Sequence, residues 1–357
     1  MKRITLQTFI AALLAIILII IAFLVDFLTP LKITSEIISG IITAIIVFLS
    51  SYFIRNLSSA PRPLTLAIIG PPAVGKTVYL TVLFDIIQTA EFHNIRFTPY
   101  GEETFEQVHS DLNILSSGQW LKPTKPGSVF YYRATTSIGG SIFPKRLKIE
   151  IADYAGEHID EFNPSSELWL HKTSFFRYIV DNEGLFLALD LEFLLTAPKA
   201  DIEVVQNAYV SAFQILLERK GIFENKKFNP PVAILFLKSD ILESYNKGKI
   251  LLNENLENKT ETELYLQKNK VFHKKHDVTS FFDRTVLENK LDVDKDLENE
   301  ILRKIPRLIR ICQKRCRRFN MFFVSATGGG DKNTPPDVLQ PINVTHPLLW
   351  IIKNLEK

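Results

Sequence analysis

At 357 residues and 46% apolar content, the chain can hold one large domain or two small ones with ample core. A formal net charge of +3 excludes a protein whose bulk is built to coat nucleic acid, and no nucleic-acid partner is indicated. Two cysteines, Cys312 and Cys316, exclude a disulfide framework and a cysteine zinc site. Their i,i+4 spacing makes them buried thiols on one side of a helix, which suits a reducing, cytosolic setting for the body of the protein.

The chain begins with two apolar runs, Ile4 to Leu28, interrupted late by Asp26, and Ile37 to Ile54. A helix rises 1.5 Å per residue, so about 20 residues cross a hydrocarbon core ~30 Å thick, and both runs are near that length. With the short turn Thr29-Pro30-Leu31-Lys32 between them, residues 1–57 read as a transmembrane helical hairpin. Lys2 and Arg3 before it, and Arg55 and Arg62 after it, put both termini in the cytoplasm of an inner membrane; Lys32 is the one charge against this. Asp26 and Glu36 fall near the outer interface, where a carboxylate reaches water. A cleavable signal peptide is the competing reading for residues 1–28, disfavoured by the length of the run and the lack of an A-x-A site. Residues 58–63, Ser-Ser-Ala-Pro-Arg-Pro, read as a short stiff linker that holds the next domain close to the bilayer.

From 64 onward the pattern is that of a soluble domain. Leu64 to Ile69 is a strand, Val78 to Ile87 is helical, and between them stands Gly70-Pro71-Pro72-Ala73-Val74-Gly75-Lys76-Thr77. Strand, glycine-bounded loop and helix are the context in which G-x-x-x-x-G-K-[ST] binds phosphate. The glycines let the backbone curl so that successive N–H groups, through Ala73, Val74, Gly75, Lys76, Thr77 and Val78, turn inward. The helix adds its positive end. Lys76 would reach the β- and γ-phosphates, and the Thr77 hydroxyl would hold Mg²⁺. Residues 90–118 are mixed in polarity and helical around Glu102 to Leu115. Val129 to Ser137 and Arg146 to Ala152, joined around Gly139-Gly140-Ser141, predict an antiparallel hairpin whose second strand ends at Asp153.

Here the chain resembles the Ras-like and translation-factor-like GTPases. Asp153-Tyr154-Ala155-Gly156 resembles their D-x-x-G sensor, in which the Asp holds Mg²⁺ through water and the Gly N–H bonds the γ-phosphate. Lys238-Ser239-Asp240, after the apolar strand Pro231 to Leu237, resembles the [NT]-K-x-D guanine motif. Ser325-Ala326-Thr327, after Met321 to Val324, resembles the S-A loop that touches the base. Gly184 to Asp190 and Pro347 to Leu355 match the intervening strand and the last helix. The resemblance covers about 64–240 and 319–357 and implies a doubly wound, mostly parallel α/β sheet of P-loop NTPase type. It implies GTP or GDP with Mg²⁺ as ligands. Leu237 departs from the family, which has Asn or Thr there to tie the base loop to the phosphate loop. Losing that bond costs on the order of 1 kcal/mol, so guanine preference survives. An ionised Asp240 accepts from guanine N1–H and N2 together, whereas adenine offers neither donor. Lys238 would lay its stem over the ring.

Thr124, Thr135 and Thr136 are candidates for the Mg²⁺-binding threonine of the first switch. Thr124 is chosen, because it lies in a loop after Pro123 while the others lie within a strand. Glu157 stands where many members carry a water-orienting Gln or His; its charge beside the γ-phosphate predicts slow hydrolysis. His158 is a possible substitute, and Arg133 and Arg177 read as structural. Lys76, Thr124 and Glu157 are thus the catalytic set, and Thr77, Thr124 and Asp153 the metal set.

Residues 241–318 form a charged, mostly helical insertion. Asn253 to Lys275 reads as solvated helix or loop. Ile301, Leu302, Ile305, Leu308, Ile309, Cys312, Cys316 and Phe319 share one helical stripe, and Pro306 starts or kinks the helix. Arg303, Lys304, Arg307, Arg310, Lys314, Arg315, Arg317 and Arg318 cover the rest, as a basic solvent face or as a face for anionic lipid headgroups. The whole predicts a membrane-anchored GTP-binding switch with slow hydrolysis. Its partners are membrane lipid and a protein effector or regulator that the sequence does not identify. Two rivals stand beside it. One is an AAA-type ATPase, with Leu185 to Asp190 and Glu192 as an acidic Walker B strand. The other is a non-hydrolysing nucleotide-binding scaffold, which Leu237 and Glu157 favour.

Overall fold

A computed structural model describes residues 62–90, 92, 95–99, 101–122, 128–139, 145–154, 174–223, 226–244, 248–251, 290–293, 295–330 and 333–355, with Ala44 and Val47 apart from these. The predicted hairpin over 1–57 and the stretch Asn253 to Lys275 lie outside the described residues. Among the described residues, no helix is long and apolar enough to cross a membrane.

Seven strands form one mixed sheet. They are β1 (Arg62–Ile69), β2 (Ile95–Pro99), β3 (Val129–Ile138), β4 (Lys145–Tyr154), β5 (Gly184–Asp190), β6 (Val232–Leu237) and β9 (Phe319–Phe323), in the spatial order β2-β3-β4-β1-β5-β6-β9. Strands β4, β1, β5, β6 and β9 are mutually parallel, and β2 and β3 run antiparallel at one side. The fold is therefore α/β with a mostly parallel mixed sheet. Parallel strands are buried on both faces, which is why β5 and β6 are continuous apolar runs.

Side chains alternate across β1. Leu64, Leu66 and Ile68 enter one core, with helices α1 (Lys76–Thr89), α2 (Glu102–Ser116) and α9 (His346–Leu355). Ala67 and Ile69 enter the other. That second core holds α3 (Ser174–Asp181), α4 (Leu191–Thr196), α5 (Lys199–Arg219), α7 (Lys295–Lys304) and α8 (Pro306–Arg315). Between β6 and α7 stand the short helix α6 (Ile241–Ser244) and a two-stranded ribbon of β7 (Gly248–Leu251) and β8 (Lys290–Val293).

Three features depart from the sequence expectation. Strand β2 is new: it is a five-residue edge strand paired only with β3, too short for its Ile95/Phe97 alternation to stand out. Strand β1 starts at Arg62, so Arg62 and Pro63 pair with Leu147 and Lys148 and belong to the sheet. Proline is tolerated there because β5 joins β1 only from Leu66 onward, which leaves the missing N–H without a ladder partner to satisfy. The stripe of residues 301–319 is split between two helices, with Pro306 at the first turn of the second, and leaves the helix at Cys316 before Phe319 opens β9. Cys312 and Cys316 are free and buried as expected, but only Cys312 is helical, Cys316 lying one residue past α8 in extended backbone.

Candidate functional site

The parallel strands β1, β4, β5, β6 and β9 bring Gly70, Asp153, Asp190, Lys238 and Ser325 to one edge, each at or just past a strand's C-terminal end. Open α/β sheets bind ligands at this edge. The chain winds outward from β1 in both directions, so the loop after β1 opens at the switch point.

Gly70 and Gly75 are glycine for different reasons. A Cβ on Gly70 would lie 2.7 Å from the Ala188 carbonyl oxygen of β5, a contact no side chain tolerates. That carbonyl also accepts a hydrogen bond from the Tyr209 hydroxyl of α5, which fixes it in place. Gly75 has open space around it but a φ of 95°, in the left-handed region. Ala73 also has positive φ, at 60°. Helix α1 starts at Lys76, directly after Gly75. The Lys76 ammonium folds back over the loop and donates to the carbonyls of Gly70, at 2.9 Å, and Pro71, at 2.8 Å.

Thr77 and Asp153 meet beside this loop. The Thr77 hydroxyl donates to Asp153 Oδ2 at 2.7 Å, while Asp153 Oδ1 is buried with no hydrogen-bond partner among the described residues. Burial raises the Asp153 pKa; the Lys76 charge and the Thr77 bond oppose this, and Asp111 reinforces it. An idle buried carboxylate oxygen costs about 1–3 kcal/mol, and a carboxylate beside a hydroxyl is the donor set a hard divalent cation takes. Among the described residues no three His, Cys, Asp or Glu side chains gather to hold a metal. Mg²⁺ fits here only with phosphate and water oxygens completing its shell.

Behind Asp153 stands a buried trio that sequence reasoning missed. Thr81 of α1 donates to Asp111 Oδ2 of α2 at 3.0 Å and lies 3.4 Å from the Tyr132 hydroxyl of β3, while Gln107 donates to Asp111 Oδ1 at 2.8 Å. Burial, then the nearby Asp153 charge, raises the Tyr132 pKa. Asp111 is raised by burial, with the Gln107 and Thr81 bonds opposing. Nothing in the spacing of a charged helix such as Glu102–Ser116 marks Asp111 as the residue turned inward.

The second cluster lies past β6 and β9. The Ser325 hydroxyl donates to Asp240 Oδ1 and accepts from the Gly328 N–H at 3.0 Å. The backbone of Ser325 is bonded in both directions to Ile342. Lys238 has a φ of 61°, and its ammonium is paired with Asp190 Oδ2 at 2.5 Å. Asp190 Oδ1 accepts from the Phe193 N–H and caps α4. Asp190, 48 residues from Lys238, reads in the sequence as a strand end or a Walker B acid, and not as the partner of Lys238. Leu237 is buried in the core, so its side chain ties no loops together. Ala326 follows Ser325 half-buried. Thr135 and Thr136 lie within β3, and the Thr136 hydroxyl is buried without a partner. Arg133 pairs with Glu150 at 2.8 Å. Thr124, Gly156, Glu157 and His158 lie outside the described residues.

Compared with protein families and with curated proteins, the chain gives no match. Its function must be read from these two clusters.

Proposed function

We propose that this chain is a membrane-anchored GTP-binding protein of the Ras-like and translation-factor-like class, hydrolysing GTP slowly and acting as a switch on the cytoplasmic face. The observation that carries this reading is the buried Asp153 carboxylate, one oxygen bonded to Thr77 and the other idle, beside the loop that starts α1. In this reading the N–H groups from Ala73 to Val78 and the Gly156 N–H bind phosphate oxygens. Lys76 exchanges two loop carbonyls for the β- and γ-phosphates. Thr77, Asp153 and Thr124 would hold Mg²⁺, which when bound neutralises charge on the phosphates. Asp240, oriented by Ser325, accepts from guanine N1–H and N2, with Lys238 and Ala326 flanking the base. Glu157 faces the attacking water, and its charge keeps the rate low.

The ATPase reading is weakened by Asp190. Both oxygens of that carboxylate are committed, one to the Phe193 N–H and one to Lys238. Asp153 alone of the two has an oxygen to spare.

The test is competition on the full-length chain in detergent: displacement of a labelled guanine nucleotide by GTP or ATP, with phosphate release followed with and without Mg²⁺. GTP is expected to displace it and ATP to fail at similar concentrations. ATP outcompeting GTP overturns the reading. Binding with no Mg²⁺-dependent release selects the non-hydrolysing scaffold instead.

A further inference from the structure

The edge of the sheet opposite the phosphate loop carries an unusual surface. Because β1, β5, β6 and β9 are parallel, their first residues, Arg62, Gly184, Val232 and Phe319, start at this one edge. The loop from α5 to β6 and the end of α8 meet here. Phe228 N–H donates to the Arg315 carbonyl at 2.7 Å, and Arg317 N–H to the Phe228 carbonyl at 2.9 Å.

Residues 303–318 hold eight basic and no acidic side chains, in a chain whose net charge is only +3. Lys226, Lys227 and Lys314 are exposed and make no ion pair with a described residue. Arg317 bonds the Asn229 side chain, and Arg318 bonds Asn229 and the Asn354 carbonyl, all neutral acceptors. Burial, and after it the Arg317 charge, lowers the Arg318 pKa. Among the described residues, Asp181 and Glu183 at this edge act on Lys220, and Glu224 of the same loop lies outside the described residues.

In the same loop stands Phe223, 72% exposed, its carbonyl accepting from the Lys226 N–H at 2.9 Å. A ring held out in water among lysines is poor design for a solvated loop. It is the arrangement of an interfacial anchor, in which an aromatic enters the headgroup layer and cations pair with the phosphates around it. The chain also enters the sheet here. Seven residues, 55–61, separate Ile54 at the end of the second apolar run from Arg62. They reach at most about 25 Å when extended.

We propose that this edge docks on an anionic membrane leaflet, with Phe223 entering the headgroup layer and Lys226, Lys227, Lys314, Arg317 and Arg318 pairing with lipid phosphates. The inference rests on the membrane-anchored part of the reading above and not on its nucleotide part. The phosphate-binding edge then faces away from the bilayer, open to cytoplasmic partners.

The test uses the full-length chain with Gln313→Cys, an exposed position on α8. It carries a fluorophore that transfers energy to headgroup-labelled lipid, and the native thiols are buried. The chain is reconstituted into vesicles of phosphatidylcholine alone or with phosphatidylglycerol. Transfer is expected to be several-fold higher in the anionic vesicles and to fall in high salt. Each basic residue against such a leaflet strengthens contact roughly fivefold. Lys226→Ala, Lys227→Ala and Lys314→Ala together should therefore weaken it roughly a hundredfold, and Phe223→Ser should weaken it separately. Lys199→Ala, on a helix start at the opposite edge, should leave it unchanged, and melting temperatures report whether each variant folds. Equal transfer in both vesicles, or an undiminished signal in the folded triple variant, overturns the proposal. Displacement by an RNA oligomer at equal charge also overturns it and assigns the edge to nucleic acid. Resistance to alkaline carbonate extraction is read in parallel. Extraction with the anionic response intact removes the anchor and keeps the docking edge; retention without the response does the reverse.

Discussion

Replacing Asp240 by Asn tests the base site at a single atom. In the native arrangement the Ser325 oxygen accepts from the Gly328 N–H, so its own proton goes to Asp240 Oδ1. An asparagine has two ways round, and Ser325 selects one. The amide oxygen takes the Ser325 proton, and the amide nitrogen is left where Oδ2 stood. That nitrogen donates, so it opposes the guanine N2 amino group and welcomes the 2-oxo group of xanthine, while the amide oxygen still accepts from the N1–H of either base. Each bond to a carboxylate is worth about 1.5–3 kcal/mol. Losing the one to N2 should weaken GTP by roughly 10- to 150-fold, with xanthosine triphosphate gaining. Because the Ser325 bond is kept, the melting temperature of the free protein should barely move. The assay is competition of GTP and xanthosine triphosphate against one labelled nucleotide on both proteins. An unchanged ratio of the two affinities would take Asp240 out of the base site.

Asp153→Asn should abolish the Mg²⁺-dependent part of GTP binding, at least about tenfold, while binding without Mg²⁺ changes little; titration of nucleotide at two Mg²⁺ levels reads both. Thr136→Val removes a buried hydroxyl that has no partner, so it should stabilise the fold by up to about 1 kcal/mol in denaturant melts and leave hydrolysis within a few fold. Thr124→Ala should slow single-turnover hydrolysis by about tenfold or more with affinity nearly kept, and the opposite pattern would move the first switch to β3. Burial raises the Glu298 pKa from 4.5 to about 7, against an opposing pull from Lys295. The native state therefore holds this proton longer than the unfolded chain does, and stability falls as pH rises from about 4.5 through 7. Glu298→Gln should be the more stable protein at about pH 8, by roughly 1–2 kcal/mol, and equal to wild type near pH 4.

The parallel strands were legible because a strand covered on both faces has no polar positions to disguise it, as in Val232–Leu237. The β3–β4 hairpin was legible from alternation and a glycine turn. Edge strand β2 was not, since one-sided pairing asks little of five residues. At the candidate site, residues local in sequence were readable, such as Gly70 to Thr77. Partners that only topology brings together were not. The Lys238–Asp190 pair joins the ends of neighbouring strands, and Asp111 is turned inward by the packing of α2 on α1. Pro306 shows the reverse case, a break whose place the sequence marks and whose outcome, two helices, follows from one missing N–H.

The start of α8 bears on the order in which the molecule assembles. Its first two amides, of Arg307 and Leu308, donate to the Gln206 side-chain oxygen of α5, at 2.6 and 3.2 Å, across 101 and 102 residues of chain. A helix of ten residues is marginal alone in water, and this one has its end satisfied by another helix. It gains its first turn only against α5 already standing on the sheet. Closure of that long loop makes α8, and β9 after it, late events in folding. Until then β6 is an unfinished sheet edge, and a nascent chain would expose it until β9 has been made.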